Sequence, residues 1–208
     1  IKKDGEKAMK EANDIWENAK SYLELKKSGA ELTYYPEMEQ LSKVITGELS
    51  LLIEVNSASD ILNAIKWVEG KNIKVIFIGV AEGWRVAEQI AKAKIPVVTG
   101  PIQDLPTRGS DRYDTPYANA GMLAKAGVKV ALRTDEEENV RNLPFHAAFA
   151  AAYGLGKEEA LKAVTINPAE IFGVADQYGS VEAGKRANLI VSTGDPFETR
   201  SQIMHVFI

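Results

Sequence analysis

At 208 residues, with 45% hydrophobic and 26% charged side chains, the chain has ordinary globular proportions and enough length to bury a core. A formal net charge of -4 without a dense Lys/Arg cluster excludes the electrostatic footprint of a nucleic-acid binder, and the absence of Cys excludes disulfides and thiolate metal sites. The longest apolar run, residues 75–81, falls far short of the roughly 20 residues needed to cross a bilayer, so no membrane partner is expected.

In chain order, residues 6–27 read as a long amphipathic helix with Met9, Ala12, Ile15, Trp16, Ala19 and Leu23 on one side. Four short apolar segments follow at residues 51–55, 75–79, 96–100 and 129–134, each leading into a helical pattern. This strand-helix rhythm has the spacing of βα units, and near-continuous apolarity suits parallel strands covered on both faces. The helix over residues 58–69 opens on Ser57-Ala-Ser-Asp60, where a hydroxyl N-cap followed three residues later by an acid predicts a capping box. Its Ile61, Ala64, Ile65 and Val68 form one apolar stripe, and similar stripes run through residues 86–93 and 118–126.

Downstream, residues 143–153, 157–164 and 168–172 read as three short helices punctuated by Gly154, Gly156 and Asn167-Pro168. After Gly173 the texture changes. Residues 178–192 and 202–208 read as strands of a small β element around the turn Gly194-Asp195-Pro196. Four strands are half of a closed eight-stranded barrel, but open doubly wound sheets show the same rhythm, so periodicity leaves both architectures open. The chain starts at Ile1 rather than Met and stops within the strand-like run His205-Val-Phe-Ile208, so both ends are expected to continue in a longer protein.

Two blocks go further: Glu158-Glu-Ala-Leu-Lys-Ala-Val-Thr-Ile-Asn-Pro-Ala-Glu-Ile-Phe-Gly173, then Gly179-Ser-Val-Glu-Ala-Gly-Lys-Arg-Ala-Asn-Leu-Ile-Val191. Over residues 51–197 the chain resembles the amidohydrolase superfamily, specifically its imidazolonepropionase-like branch. The resemblance implies an α/β fold: the second half of a TIM-type (β/α) barrel, strands five to eight over residues 1–173, with part of a small β-sandwich domain over residues 174–208. Asn188 departs from the family's usual Asp, a change expected to concern a turn of the small domain.

The same resemblance implies an active site at the C-terminal strand ends. Family members hold one or two divalent metals, zinc foremost, with His ligands on strands one, five and six, a bridging Lys or Glu on strand four and an Asp on strand eight. Here Glu54 stands at the strand-five His, Gly79 at the strand-six His, and Asp135 matches the strand-eight Asp. In active relatives that Asp binds metal and shuttles the proton from the attacking water to the leaving nitrogen. Asp135 and Glu54 are therefore the candidate metal residues and Asp135 the candidate catalytic one, while Gly79 removes a nitrogen ligand outright, so metal is expected to be absent from this chain.

Other readings of these residues stand beside the resemblance. Asp135 opens the run Asp135-Glu-Glu-Glu138, and such runs after strands are commonly solvated caps. Glu54 fits a polar pocket residue as well as a ligand. His146, on an apolar helical stripe with Phe149, Ala150 and Tyr153, fits a packed core residue or a substrate contact, and His205 lies apart from it. The long connection over residues 101–114, with Asp104, Arg108, Asp111 and Arg112, fits a mobile loop or one that grips a polar substrate.

Two functions are expected in competition: a hydrolase of carbon-nitrogen bonds by ancestry with a degenerate metal site, or a noncatalytic paralogue serving as a binding or partner scaffold. A small-molecule substrate is the expected ligand. Unpaired strand edges predict a homo-oligomer or a complementing N-terminal half.

Overall fold

The computed structural model describes residues 2–208, which fall into two compact units: one of the described residues up to 52 with 63–75, the other of residues 53–62 with 76–208.

In the first unit, helix α1 (Lys2–Lys27) and helix α2 (Pro36–Ile45) lie side by side. Pro36 starts α2 where its missing N–H costs nothing. Trp16 is buried and meets Trp67 edge-on at 5.8 Å between ring centroids, and the Trp67 indole N–H donates to Asn13 Oδ1 at 2.8 Å. Trp16 and Ala19 carry the α1 stripe, whereas Ile15, at the edge of that stripe, is 48% exposed.

Most of a four-stranded sheet belongs to the second unit; its order is β1 (Leu51–Val55), β2 (Val75–Gly79), β3 (Val97–Thr99), β4 (Val130–Leu132). β2 pairs with β3 and β3 with β4 in parallel, with Phe77 opposite Val97 and Val97 opposite Val130. Parallel partners share a face, so Phe77, Val97 and Val130 line one side while Ile76, Val98 and Ala131 form a cluster on the other, joined by Ile78 and Ile171. Burial on both faces accounts for the unbroken apolar runs. The predicted α/β fold with a parallel sheet is observed, as an open sheet of four strands.

The connections are helices α3 (Ala58–Val68), α4 (Ala87–Ala93) and α5 (Thr115–Lys125), and β4 is followed by α6 (Leu143–Ala150), α7 (Lys157–Ala163) and α8 (Ile166–Ile171). At α3, the Asp60 N–H donates to Ser57 Oγ at 3.1 Å as a cap requires. The Asp60 carboxylate accepts the Ser57 hydroxyl at 2.6 Å instead of reaching the backbone, which makes half of a capping box. After Gly173 only β5 (Leu189–Ser192) and β6 (Ile203–Phe207) form strands, pairing antiparallel as a separate ribbon. Residues 178–188, expected to extend the first of these strands, are turns and bends. Gly179 and Gly184 take left-handed φ values there, and the ribbon pairing begins only at Leu189. No helix among the described residues is long and apolar enough to cross a membrane.

Candidate functional site

Parallel strands end together, and in the second unit the segments leaving β1, β2, β3 and β4 surround a cavity of about 260 Å³. Its polar lining is Asn56 after β1, Thr99 at the end of β3, Asp104 and Thr107 in the following loop, Asn119 on α5 and Asp135 after β4.

The floor is a closed hydrogen-bond network. Asn119 is buried; its Nδ2 donates to Val80 O at 2.9 Å and Thr99 Oγ1 at 3.2 Å, while its Oδ1 accepts from the Trp84 N–H at 2.8 Å. Thr99 Oγ1 donates onward to Gly79 O at 2.9 Å. With its donors spent, Asn119 fixes the turn after β2 against α5 and offers a ligand only lone pairs.

The wall is held by Glu82, the largest surprise of the turn after β2. It is 1% exposed, accepts the Ala58 N–H at 2.9 Å, and receives both Nε and Nη2 of Arg108, the latter at 2.7 Å. Arg85 Nε lies 3.6 Å away, stacked over Trp84, and its Nη2 pairs with Asp111. The paired Arg108 holds the Glu82 carboxyl below the usual carboxylate range; burial opposes this and the Ala58 N–H assists. Arg108 and Asp111 thus tie the 101–114 loop down instead of lining the cavity, and Arg112 pairs locally with Asp114. Of the loop residues singled out from the sequence, Asp104 lines the cavity.

Asp135 lines the cavity too, from a left-handed backbone with φ 59° that a non-glycine residue adopts at a cost of about 1 kcal/mol. Its Oδ2 accepts from Arg133 Nη2 at 2.9 Å, and the same Nη2 lies 3.1 Å from Glu54 Oε1. The two candidate metal residues are brought to one place, but around a guanidinium. Gly79 has φ 82°, and a Cβ built there would lie 2.4 Å from Asn56 Oδ1, so the Asn56 carboxamide fills the space a side chain would use. No third carboxylate or imidazole joins Glu54 and Asp135, and no group of three such donors that could hold a metal occurs among the described residues. The donor set does not fit the family's ion.

His146 is buried at 4% exposure, its Nδ1 accepting the Ile102 N–H at 3.1 Å; burial pushes its pKa down, against the opposing pull of Glu136. It anchors the start of the 101–114 loop as a neutral acceptor. His205 lies on β6, outside the cavity.

The sequence profile of the amidohydrolase family matches residues 33–207. An amidohydrolase from Thermotoga maritima of known structure superimposes with a TM-score of 0.85 at 30% identity, over 96% of this chain and 53% of that one. Among curated relatives, the imidazolonepropionase of Shouchella clausii is 39% identical over 89 residues, 41% of this chain and 20% of the relative. The amidohydrolase tasK of Hapsidospora irregularis is 28% identical over 169 residues, 66% of this chain and 17% of its own length. The chain therefore spans a fraction of these curated relatives and about half of the solved one. On the strength of the profile, the imidazolonepropionase matches and the superposition, the chain belongs to the amidohydrolase family, on its imidazolonepropionase-like branch.

Proposed function

We propose that this chain is a degenerate amidohydrolase: by ancestry a metal-dependent hydrolase of carbon-nitrogen bonds, now presenting a small-molecule pocket whose described residues bind and orient a ligand without a metal of their own. It corresponds to the second half of a TIM-type barrel, residues 1–173, with residues 174–208 belonging to a small β domain; the 53% coverage of the Thermotoga maritima structure supports this reading. The observation that carries the function is the cavity at the strand ends, where Asn56, Asp104 and Asp135 face a ligand while Glu54 and Asp135 are engaged by Arg133.

A cyclic amide or peptide-like compound suits this lining. Asp104 and Asp135 accept from ligand N–H groups. Asn56, which makes no side-chain hydrogen bond within the protein among the contacts described, can donate to a ligand carbonyl. Without a third ligand at Gly79 the described half is a binding scaffold, which favours the noncatalytic reading over present-day hydrolysis.

Saturation-transfer NMR with hydantoins, lactams and proline-containing dipeptides, run beside chromatographic detection of ring-opened or cleaved product with and without added zinc, tests this. Binding without turnover, weakened by Asp104→Asn, is the expected result. Zinc-dependent turnover by this chain alone would overturn the degenerate-site reading, and absence of binding by the folded protein would remove the pocket.

A further inference from the structure

We propose that the Arg133 guanidinium has taken the place of the family's divalent cation, as a fixed positive charge that ties the strand ends together and keeps metal out. Its contacts come from three of the four strands: Nη2 to Glu54 of β1 at 3.1 Å, Nη2 to Asp135 after β4 at 2.9 Å, and Nε to Gly100 O after β3 at 3.4 Å. A hard divalent ion would need the same carboxylate oxygens. The guanidinium beside them stays protonated at every relevant pH, so its charge neutralises the two acids, repels a second cation and never steps aside by titration.

The backbone makes the arrangement durable. Gly100 has φ 139°, and a Cβ on it would lie 2.0 Å from Arg133 O, so the end of β3 packs directly on the residue that launches the guanidinium. The Arg133 side chain is only 22% exposed, against 58% for Glu54 and 44% for Asp135; the cation is the inner partner and the acids converge on it from outside. Across the same strand ends, Asn56 occupies the space at Gly79 where a nitrogen ligand would project. The mismatch with the family's ion is therefore a built alternative, one organic cation between two acids, and it stands whether or not the pocket binds amides.

Removing the charge should unmask the acids. Manganese titration followed by the electron-paramagnetic-resonance signal of free Mn²⁺ reads this directly on the purified protein, with circular dichroism confirming the fold of each variant. The wild-type protein should bind Mn²⁺ no better than scattered surface carboxylates do. Arg133→Met should bind one Mn²⁺ per chain at least about tenfold more tightly than wild type. Glu54→Gln in that background should abolish the gain, and Arg133→Lys, which keeps a positive charge, should stay near the wild-type level. If Arg133→Met does not fold, Arg133→Gln supplies the same neutral comparison. Stoichiometric Mn²⁺ binding by the wild-type protein, a folded neutral variant with no gain, or a gain that survives loss of both Glu54 and Asp135 would each overturn the proposal.

Discussion

Glu82→Gln removes one charge from the wall of the cavity while keeping the shape of the side chain. The carboxamide still accepts the Ala58 N–H, held at 2.9 Å in the native chain, so the start of α3 keeps its partner. The lost strength lies in the two bonds from Arg108: one is lost outright, because the amide nitrogen that replaces an oxygen cannot accept, and the other falls from a charged acceptor (about 1.5–3 kcal/mol) to a neutral one (about 0.5–1.5), about 3 kcal/mol together. Because the Arg108 side chain is 52% exposed, solvent screens part of this, and about 1–2 kcal/mol is the expected destabilisation in urea at neutral pH. Arg108→Met should cost at least as much, because it leaves the buried carboxylate without its main partner, and the double variant should cost less than the sum of the two single ones, since they remove the same interaction. The pH dependence has a definite sign. The Glu82 carboxyl titrates below its ordinary range in the folded chain, so its contribution is complete above the unfolded value and is lost as pH falls through the folded one. Glu82→Gln should therefore lose less stability on acidification than the wild type. The loop offers a second readout: trypsin should cut after Arg108 and Arg112 faster in the variant, because Glu82 is what holds that connection down. Additive single and double variants with unchanged proteolysis would refute the clamp.

Elemental analysis after dialysis should find less than stoichiometric zinc; one zinc per chain, lost on Asp135→Asn, would contradict the reading of the donor set. Asp135→Asn should itself change stability by less than about 1 kcal/mol, because the half-exposed ion pair with Arg133 contributes little and asparagine is at ease at φ 59°. A loss above about 2 kcal/mol in denaturant would mean the carboxylate is structurally required. Gly79→Ala should cost about 1–3 kcal/mol by the same assay, from the left-handed φ and the collision with Asn56, and Asn56→Ala should relieve only the collision. Light scattering joined to intact mass measurement should show a dimer or a co-purifying complementary half. The β5–β6 ribbon exposes Ile190, Met204, Val206 and Phe207, and an isolated two-stranded ribbon is marginal in water; a well-behaved monomer would count against an oligomer or a complementing half.

The sheet was legible because each strand needs apolar side chains on both faces: Phe77, Val97 and Val130 on one side and Ile76, Val98 and Ala131 on the other left runs that nothing else in the sequence imitates. α2 is hard to read from the sequence because it buries little beyond Ser42 and Val44; the proline at its start is its strongest signal. Residues 178–188 hold few apolar side chains beyond Tyr178 and Val181, and a strand exists only where a partner meets its backbone, which is decided by residues far away in the chain.

The site divides in the same way. Glu54 and Asp135 are legible as strand-end acids, because a strand end can be located from its apolar run. Arg133 is not, since its meaning lies in three contacts contributed by strands separated by up to 79 residues, and in the sequence it is one arginine before a threonine. Asn119 was hidden inside an apolar helical stripe and Glu82 in an ordinary turn, each identified only by what folds around it. A strand-end acid is thus legible from the apolar run that precedes it, whereas the cation that balances it is set by the fold. At Asp135 the acid follows the end of its strand, and the positive charge that meets it belongs to the protein.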